Sequence, residues 1–156
     1  YAGRILSDIK GDIFASDISI EMMDLAVGQY KQSNFSGFVQ ADITQIPFPK
    51  GRFRSIIVLA LMHRLPCELR AQVLSEMNRV SSKYVIISYS VESFSQRVKQ
   101  WLLLKIKRTH IPAPASIPVN VMREEIASAG FTIIKKKHIM FFLSAKVVFL
   151  IEKEGS

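Results

Sequence analysis

The sequence predicts an α/β domain: a mostly parallel sheet with helices on both faces, ending in an antiparallel hairpin. Three observations carry that expectation. Short apolar runs alternate with segments whose apolar residues recur every three to four positions, the rhythm of successive strand–helix units. The most apolar run, residues 55–61 (SIIVLAL), does not alternate and so suits a strand covered on both faces, as in parallel sheets. The last two strand-like runs follow one another across a tight turn, which only antiparallel pairing allows.

Each element follows in order. Residues 11–17 (GDIFASD) make a first strand ending on an acid, and Ser19 then offers an oxygen to the free N–H groups of a helix start. Ile18, Met22, Ala26 and Tyr30 recur at four-residue spacing and mark one helical face, which the polar stretch 32–36 ends. Residues 37–42 (GFVQAD) form a second strand, again closing on Asp, and 46–51 (IPFPKG) a turn-rich loop before the 55–61 strand. Beyond Pro66, Leu69, Val73, Met77 and Val80 line a second amphipathic helix that leads to a strand over 84–89 (YVIISY). Residues 92–108 predict a helix and 111–118, with three prolines, a loop. Asn120 caps a helix whose Met122, Ile126 and Ala129 share a face and which Gly130 terminates. Strands over 131–142 and 145–152 then meet at a turn near Leu143 and Ser144. No repeat or linker interrupts the order, so residues 1–156 read as one domain.

Composition removes whole classes of function. At 156 residues with 49% apolar and 22% charged content, the chain can bury a core and is too apolar for a disordered tail. No uncharged apolar run approaches the roughly 18 residues of a membrane helix. A single cysteine, Cys67, excludes an intrachain disulfide framework and a multi-cysteine metal centre. With no signal-peptide pattern, a reducing, cytoplasmic setting is expected. The net charge of +8 favours anionic surfaces or polyanions without identifying one.

In open α/β sheets, ligands bind beyond the carboxyl ends of the strands. Asp17, Asp42 and the segment 59–63 fall there. One carboxylate can accept both hydrogen bonds of vicinal ribose hydroxyls, and a second, one strand over, can accept from an adenine amino group. Two strand-end acids therefore suit an adenosine ligand, although Asp is equally at home in turns and caps. His63, just past the buried strand, has the near-neutral pKa of a general base or a substrate-positioning group, and equally suits a structural role. Tyr89 and Ser90 close the fourth strand, where they would face a substrate or pack. Cys67 follows Pro66 at a helix start, a place that can lower a thiol pKa, and is expected to be buried or merely inert. On the predicted 92–108 helix, Phe94, Arg97, Trp101, Lys105 and Arg108 gather on one side. Such a stripe stacks bases or binds phosphate or a membrane surface, and it equally suits a lid packed on the proline-rich loop. Lys135, Lys136 and Lys137 alternate along a strand and cannot share one face.

The words around these residues are more specific. Asp17-Ile18-Ser19-Ile20-Glu21-Met22-Met23 followed by Ala26, Ala41-Asp42 with Ile46-Pro47-Phe48, Gly51-Arg52-Phe53, Leu61-Met62-His63-Arg64-Leu65 and Glu76-Met77-Asn78-Arg79-Val80 stand in fixed order. Arg123-Glu124-Glu125-Ile126 and Ala129-Gly130-Phe131 follow. Together they resemble class I S-adenosylmethionine-dependent methyltransferases, especially the small-molecule group that includes the ubiquinone/menaquinone methyltransferases. The resemblance implies a Rossmann-like fold and S-adenosylmethionine as cofactor, with S-adenosylhomocysteine as product and no metal demanded. It implies that Asp17 holds the ribose, that Ile18 and Met22 lie against the adenine, and that Asp42 and the Ile43 backbone meet its amino group and a ring nitrogen. Leu59 and Ala60 would line the methionine moiety; the candidates to meet the acceptor, from their places at the fourth strand's end and on the 92–108 stripe, are Tyr89 and Trp101. The expected reaction is in-line methyl transfer to a small or lipid-like acceptor.

Three departures stand out. The family's glycine-rich loop is not in the sequence; Gly3 would lie close to it, so the domain is expected to be incomplete at its N-terminus, with 90–118 as a substrate or lid insertion. Arg54 stands where the family usually has Asp, and residues 79–83 lack the usual glycine pair. Two rivals remain: a non-catalytic methyltransferase-like binding protein, and an RNA methyltransferase, which the charge suggests but no Asn-Pro-Pro-Tyr motif or cysteine pair supports. An NAD-dependent dehydrogenase would explain Asp17 but neither Asp42 nor the hairpin.

Overall fold

The computed structural model describes residues 11–30, 35–90, 117–138 and 146–155. The chain divides into two compact units, Tyr1–Pro47 and Phe48–Ser156.

The first unit contains β1 (Ile13–Asp17), α1 (Ile20–Tyr30) and β2 (Phe35–Gln40). β1 and β2 pair in parallel, with Asp17 opposite Gln40, and α1 lies on the crossover that parallel pairing needs. Ser19 caps α1 as expected: its hydroxyl oxygen accepts from the Met22 N–H at 3.2 Å. The buried face of the helix is not the expected one. Met23 is buried, whereas Ile18 and Met22 are 66% and 53% exposed, and Leu25 is exposed too. The four-residue spacing located the helix, but the apolar residues lie all around it, so periodicity could not say which stripe meets the sheet.

The second unit contains β3 (Phe53–Val58), a short 3₁₀ turn at Met62–Arg64, α2 (Cys67–Val80), β4 (Ser81–Ser90), α3 (Val119–Ser128), β5 (Phe131–His138) and β6 (Lys146–Lys153). The sheet order is β3-β4-β6-β5. β3 and β4 are parallel, while β6 runs antiparallel to both its neighbours, so the last two strands pair as the sequence predicts. Parallel pairing thus joins β1 to β2 and β3 to β4, and the chain's final strand is inserted beside β4. The turn near residues 143–144 lies outside the described residues.

Alternation along the strands defines the core. Val85, Ile87 and Tyr89 of β4 stand opposite Ile151, Phe149 and Val147 of β6, and all six are buried. Val73, Leu74, Met77 and Val80 of α2 and Met122 and Ile126 of α3 are buried as well, and the two helices pack on each other and on the sheet. On the other face Ile57 is 45% exposed and Ile86 and Leu150 are partly so. The helix expected over 92–108 lies outside the described residues.

Two details depart from expectation. The N-cap of α3 is Pro118, and Asn120 sits inside the first turn with no side-chain cap. Proline suits this place because its missing N–H has no intrahelical partner to lose. On α2, Leu69 is exposed and Arg70 is buried in its stead. The Arg70 guanidinium grips Glu125 of α3 through Nε, at 3.0 and 3.1 Å from the two carboxylate oxygens, and donates to the Leu65 carbonyl at 2.8 Å. At the other end of α2, the chain passes into β4 without a loop, which accounts for the absent glycine pair. Lys153 Nζ donates to the Asn78 carbonyl at 2.7 Å and to that of Ser81 at 3.3 Å, satisfying carbonyls the helix end leaves free.

Candidate functional site

In the first unit, the parallel register brings the carboxyl ends of β1 and β2 side by side. The chain beyond β2 stays tied to β1, since the Ala41 N–H donates to the Asp17 carbonyl at 3.1 Å. Asp17 Oδ1 accepts from the Ser19 N–H at 3.0 Å. Asp42 Oδ1 accepts both the N–H and the hydroxyl of Thr44, each at 2.8 Å. These two bonds, the backbone one first, hold the Asp42 carboxyl below its usual range, so it is ionised at neutral pH. In both acids the local turn engages Oδ1 alone, and no described side chain or backbone group donates to Oδ2. Both residues are exposed, with Ile18 and Met22 exposed nearby in sequence and Ile43 partly buried. The turn-forming and ligand-binding readings of these acids are therefore compatible: one oxygen shapes the backbone and the other is open.

In the second unit, β3 ends at Val58, three residues earlier than its apolar run predicts, because Ala60 adopts a left-handed conformation with φ +60°. Leu59 is 54% exposed at this turn, and the Ala60 N–H donates to the Ser88 hydroxyl oxygen at 2.7 Å. Met62 is fully buried and anchors the 3₁₀ turn that carries His63. Partial burial, then the positive charges of Lys146 and Arg64, push the His63 pKa below its ordinary value of 6.5, so the imidazole is neutral and able to accept a proton at pH 7. Tyr89 is fully buried, its ring edge-on to Phe149 with centroids 6.2 Å apart. Burial, and then Glu125, push the Tyr89 phenol pKa up, so the hydroxyl keeps its proton. Gly3 and Trp101 lie outside the described residues, as do Arg97 and Lys105.

Sequence reasoning missed Ser88 and the Arg70–Glu125 pair. Ser88 interrupts the apolar run YVIISY, and a lone hydroxyl in a buried strand was the available signal. An open groove of about 720 Å³ between α2 and α3, lined by Lys50, Ser75, Asn78, Glu124 and Ser128 among others, contains none of the strand-end residues. Among the described residues, no three His, Cys, Asp or Glu side chains are placed to hold a metal ion, and no helix is long and apolar enough to cross a membrane.

A family model described as a methyltransferase domain matches residues 1–83, just over half of the chain. No curated protein matches. Among solved structures, the fold is similar to that of magnesium protoporphyrin IX methyltransferase (ChlM) from Synechocystis PCC 6803 with bound SAH, at a TM-score of 0.79 and 16% identity over 97% of this chain and 68% of that one. It is similar to the PH0226 protein from Pyrococcus horikoshii OT3, at 0.74 and 16% over 97% and 76%. It also resembles the [4+2]-cyclase SpnF, at 0.71 and 10% over 97% and 69%. At these identities the likeness carries the fold and not the reaction.

Proposed function

This chain belongs to the methyltransferase-domain family, the class I S-adenosylmethionine-dependent enzymes, and on that premise we propose that it transfers a methyl group to a small or lipid-like acceptor. The observation that carries the reading is the pair Asp17 and Asp42, at adjacent parallel strand ends, each with one carboxylate oxygen open. These residues fit adenosine. Asp17 accepts from the ribose hydroxyls, Asp42 from the adenine amino group, and the Ile43 N–H serves a ring nitrogen. Ile18 and Met22, exposed despite being apolar, pack on the adenine face. In the second unit, Leu59 and Ala60 line the methionine portion, His63 takes the proton that the acceptor sheds, and Trp101 positions the acceptor; Tyr89, fully buried against Phe149, packs in the core and does not touch it.

When bound, the cofactor supplies an electrophilic methyl on a sulfonium. The chain's own part is alignment, which accounts for large rate effects where the reacting atoms are held in line.

Calorimetry with S-adenosylhomocysteine on the full-length protein tests this. Charge-assisted hydrogen bonds contribute about 1.5–3 kcal/mol each, so Asp17→Ala is expected to weaken binding about tenfold or more. Asp42→Ala is expected to cost less, since it removes one ligand bond and not two. Unchanged affinity in both variants would mean that the acids only shape turns.

A further inference from the structure

We infer that Ser88 is a positioning residue for the cofactor, clamping Ala60 in its left-handed conformation so that the Leu59–Ala60 turn faces the ligand's methionine end; the inference rests on the function proposed above. Among the described residues, Ala60 is the only non-glycine with positive φ. A Cβ makes that conformation unfavourable, and it persists only where surrounding structure over-determines it. Both sides of this turn are fixed. Upstream, β3 holds register with β4 as far as the pair Val58 and Ile87, which places Ser88 at the next step of the neighbouring strand. Ser88 is itself held opposite Val148 of β6 and is 5% exposed. Downstream, Met62 is fully buried and the Arg64 N–H donates to the Leu61 carbonyl at 2.8 Å. Between these anchors, the bond from the Ala60 N–H to Ser88 Oγ, at 2.7 Å, joins the two strand ends.

The arrangement has a consequence for the ligand. An extended strand would carry residues 59–61 onward in the sheet. The left-handed step ends β3 instead and leaves Leu59 54% exposed at the carboxyl end of a parallel pair, where α/β sheets bind ligands. A buried hydroxyl in an apolar strand is costly unless it is hydrogen-bonded, and this one meets a backbone donor that the turn would otherwise leave unpaired. The clamp preorganises a backbone surface, and preorganisation improves affinity by removing an ordering cost at binding.

The test uses the full-length protein, with S-adenosylhomocysteine calorimetry and NMR exchange of the Ala60 amide. Ser88→Ala is expected to speed Ala60 exchange and to weaken binding, each about tenfold. Adding Ala60→Gly to that variant is expected to restore affinity to within about threefold of the parent, because glycine adopts the conformation without a clamp. Ser88→Cys, close in volume and a weaker acceptor, is expected to fall between parent and Ser88→Ala, and it carries the comparison if the alanine variant does not fold. Parent-like binding by the Ser88 variants, or weaker binding with unchanged Ala60 exchange, would overturn the clamp while leaving the proposed function standing. A parent that binds no S-adenosylhomocysteine would overturn the function and the clamp together.

Discussion

His63 is the residue whose chemistry depends most on its surroundings. Its pKa is lowered in the folded chain by partial burial, then by Lys146 and Arg64, so the unfolded chain binds the proton more readily. Stability therefore rises with pH across this window, and the contribution is lost as pH falls from about 6.5 toward the lower folded value. His63→Gln is expected to flatten that slope in urea melts compared at pH 5 and pH 7.5. As the proposed proton acceptor, it also predicts that kcat falls about a hundredfold in the same variant, while affinity for S-adenosylhomocysteine is unchanged. An unaltered kcat would leave His63 a structural side chain. The acids at 17 and 42 were legible in the sequence because apolar runs fix where strands end. Ser88 and Arg70 were not, since the value of a buried polar group depends on a partner that lies 28 residues away for Ser88 and 55 for Arg70.

At the scale of elements, α2 and α3 are joined by two polar fastenings. At one end is the Arg70–Glu125 pair, each side chain only 10% exposed. At the other, Asn78 Nδ2 donates to the Ala129 carbonyl at 2.9 Å, beside Gly130 with φ +76°. Arg70→Ala leaves Glu125 a buried charge without its counter-ion, and is expected to cost about 3 kcal/mol in a urea melt. Arg70→Met with Glu125→Leu is expected to recover most of that loss, since apolar replacement of both partners removes the desolvation cost as well. A double variant as unstable as Arg70→Ala would show that the Leu65 carbonyl contact matters more than the ion pair. Gly130→Ala is expected to cost about 1–2 kcal/mol, because a side chain disfavours the left-handed backbone and the new Cβ would stand 3.2 Å from Asn78 Nδ2. This cap was legible, because glycine after a periodic run is a helix stop. The buried faces were only partly so: Val73, Met77 and Val80 were placed correctly on α2, whereas Leu69 and Met22 were not. Spacing locates a stripe, but the neighbouring element decides how far round the helix it extends.

At the scale of the whole molecule, charge and core are unevenly distributed. Part of the +8 has a structural use: Lys135, Lys136 and Lys137 are exposed on β5, an edge strand whose register shifts between Ile133 and Lys135. Charges and irregular register on an edge discourage pairing with other chains, so these lysines do not by themselves argue for a polyanion. Among the described residues, the buried side chains lie almost wholly in the second unit. Among the described buried apolar side chains, Met23 alone belongs to the first. Weakly buried segments open at low free energy. Backbone amides of β1 and β2 are therefore expected to exchange with deuterium much faster than those of β4 and β6. A ligand that binds only the closed form slows such exchange by mass action, about a hundredfold at one hundred times its dissociation constant. If Asp17 and Asp42 hold adenosine, saturating S-adenosylhomocysteine should slow exchange in Ile13–Asp17 and Phe35–Gln40 by about that factor, and Asp17→Ala should abolish most of the slowing. Slow exchange throughout the free protein would mean that the sparse core of the first unit is no guide to its stability. Slowing confined to β4 and β6 would place the ligand away from the paired acids and overturn the adenosine reading.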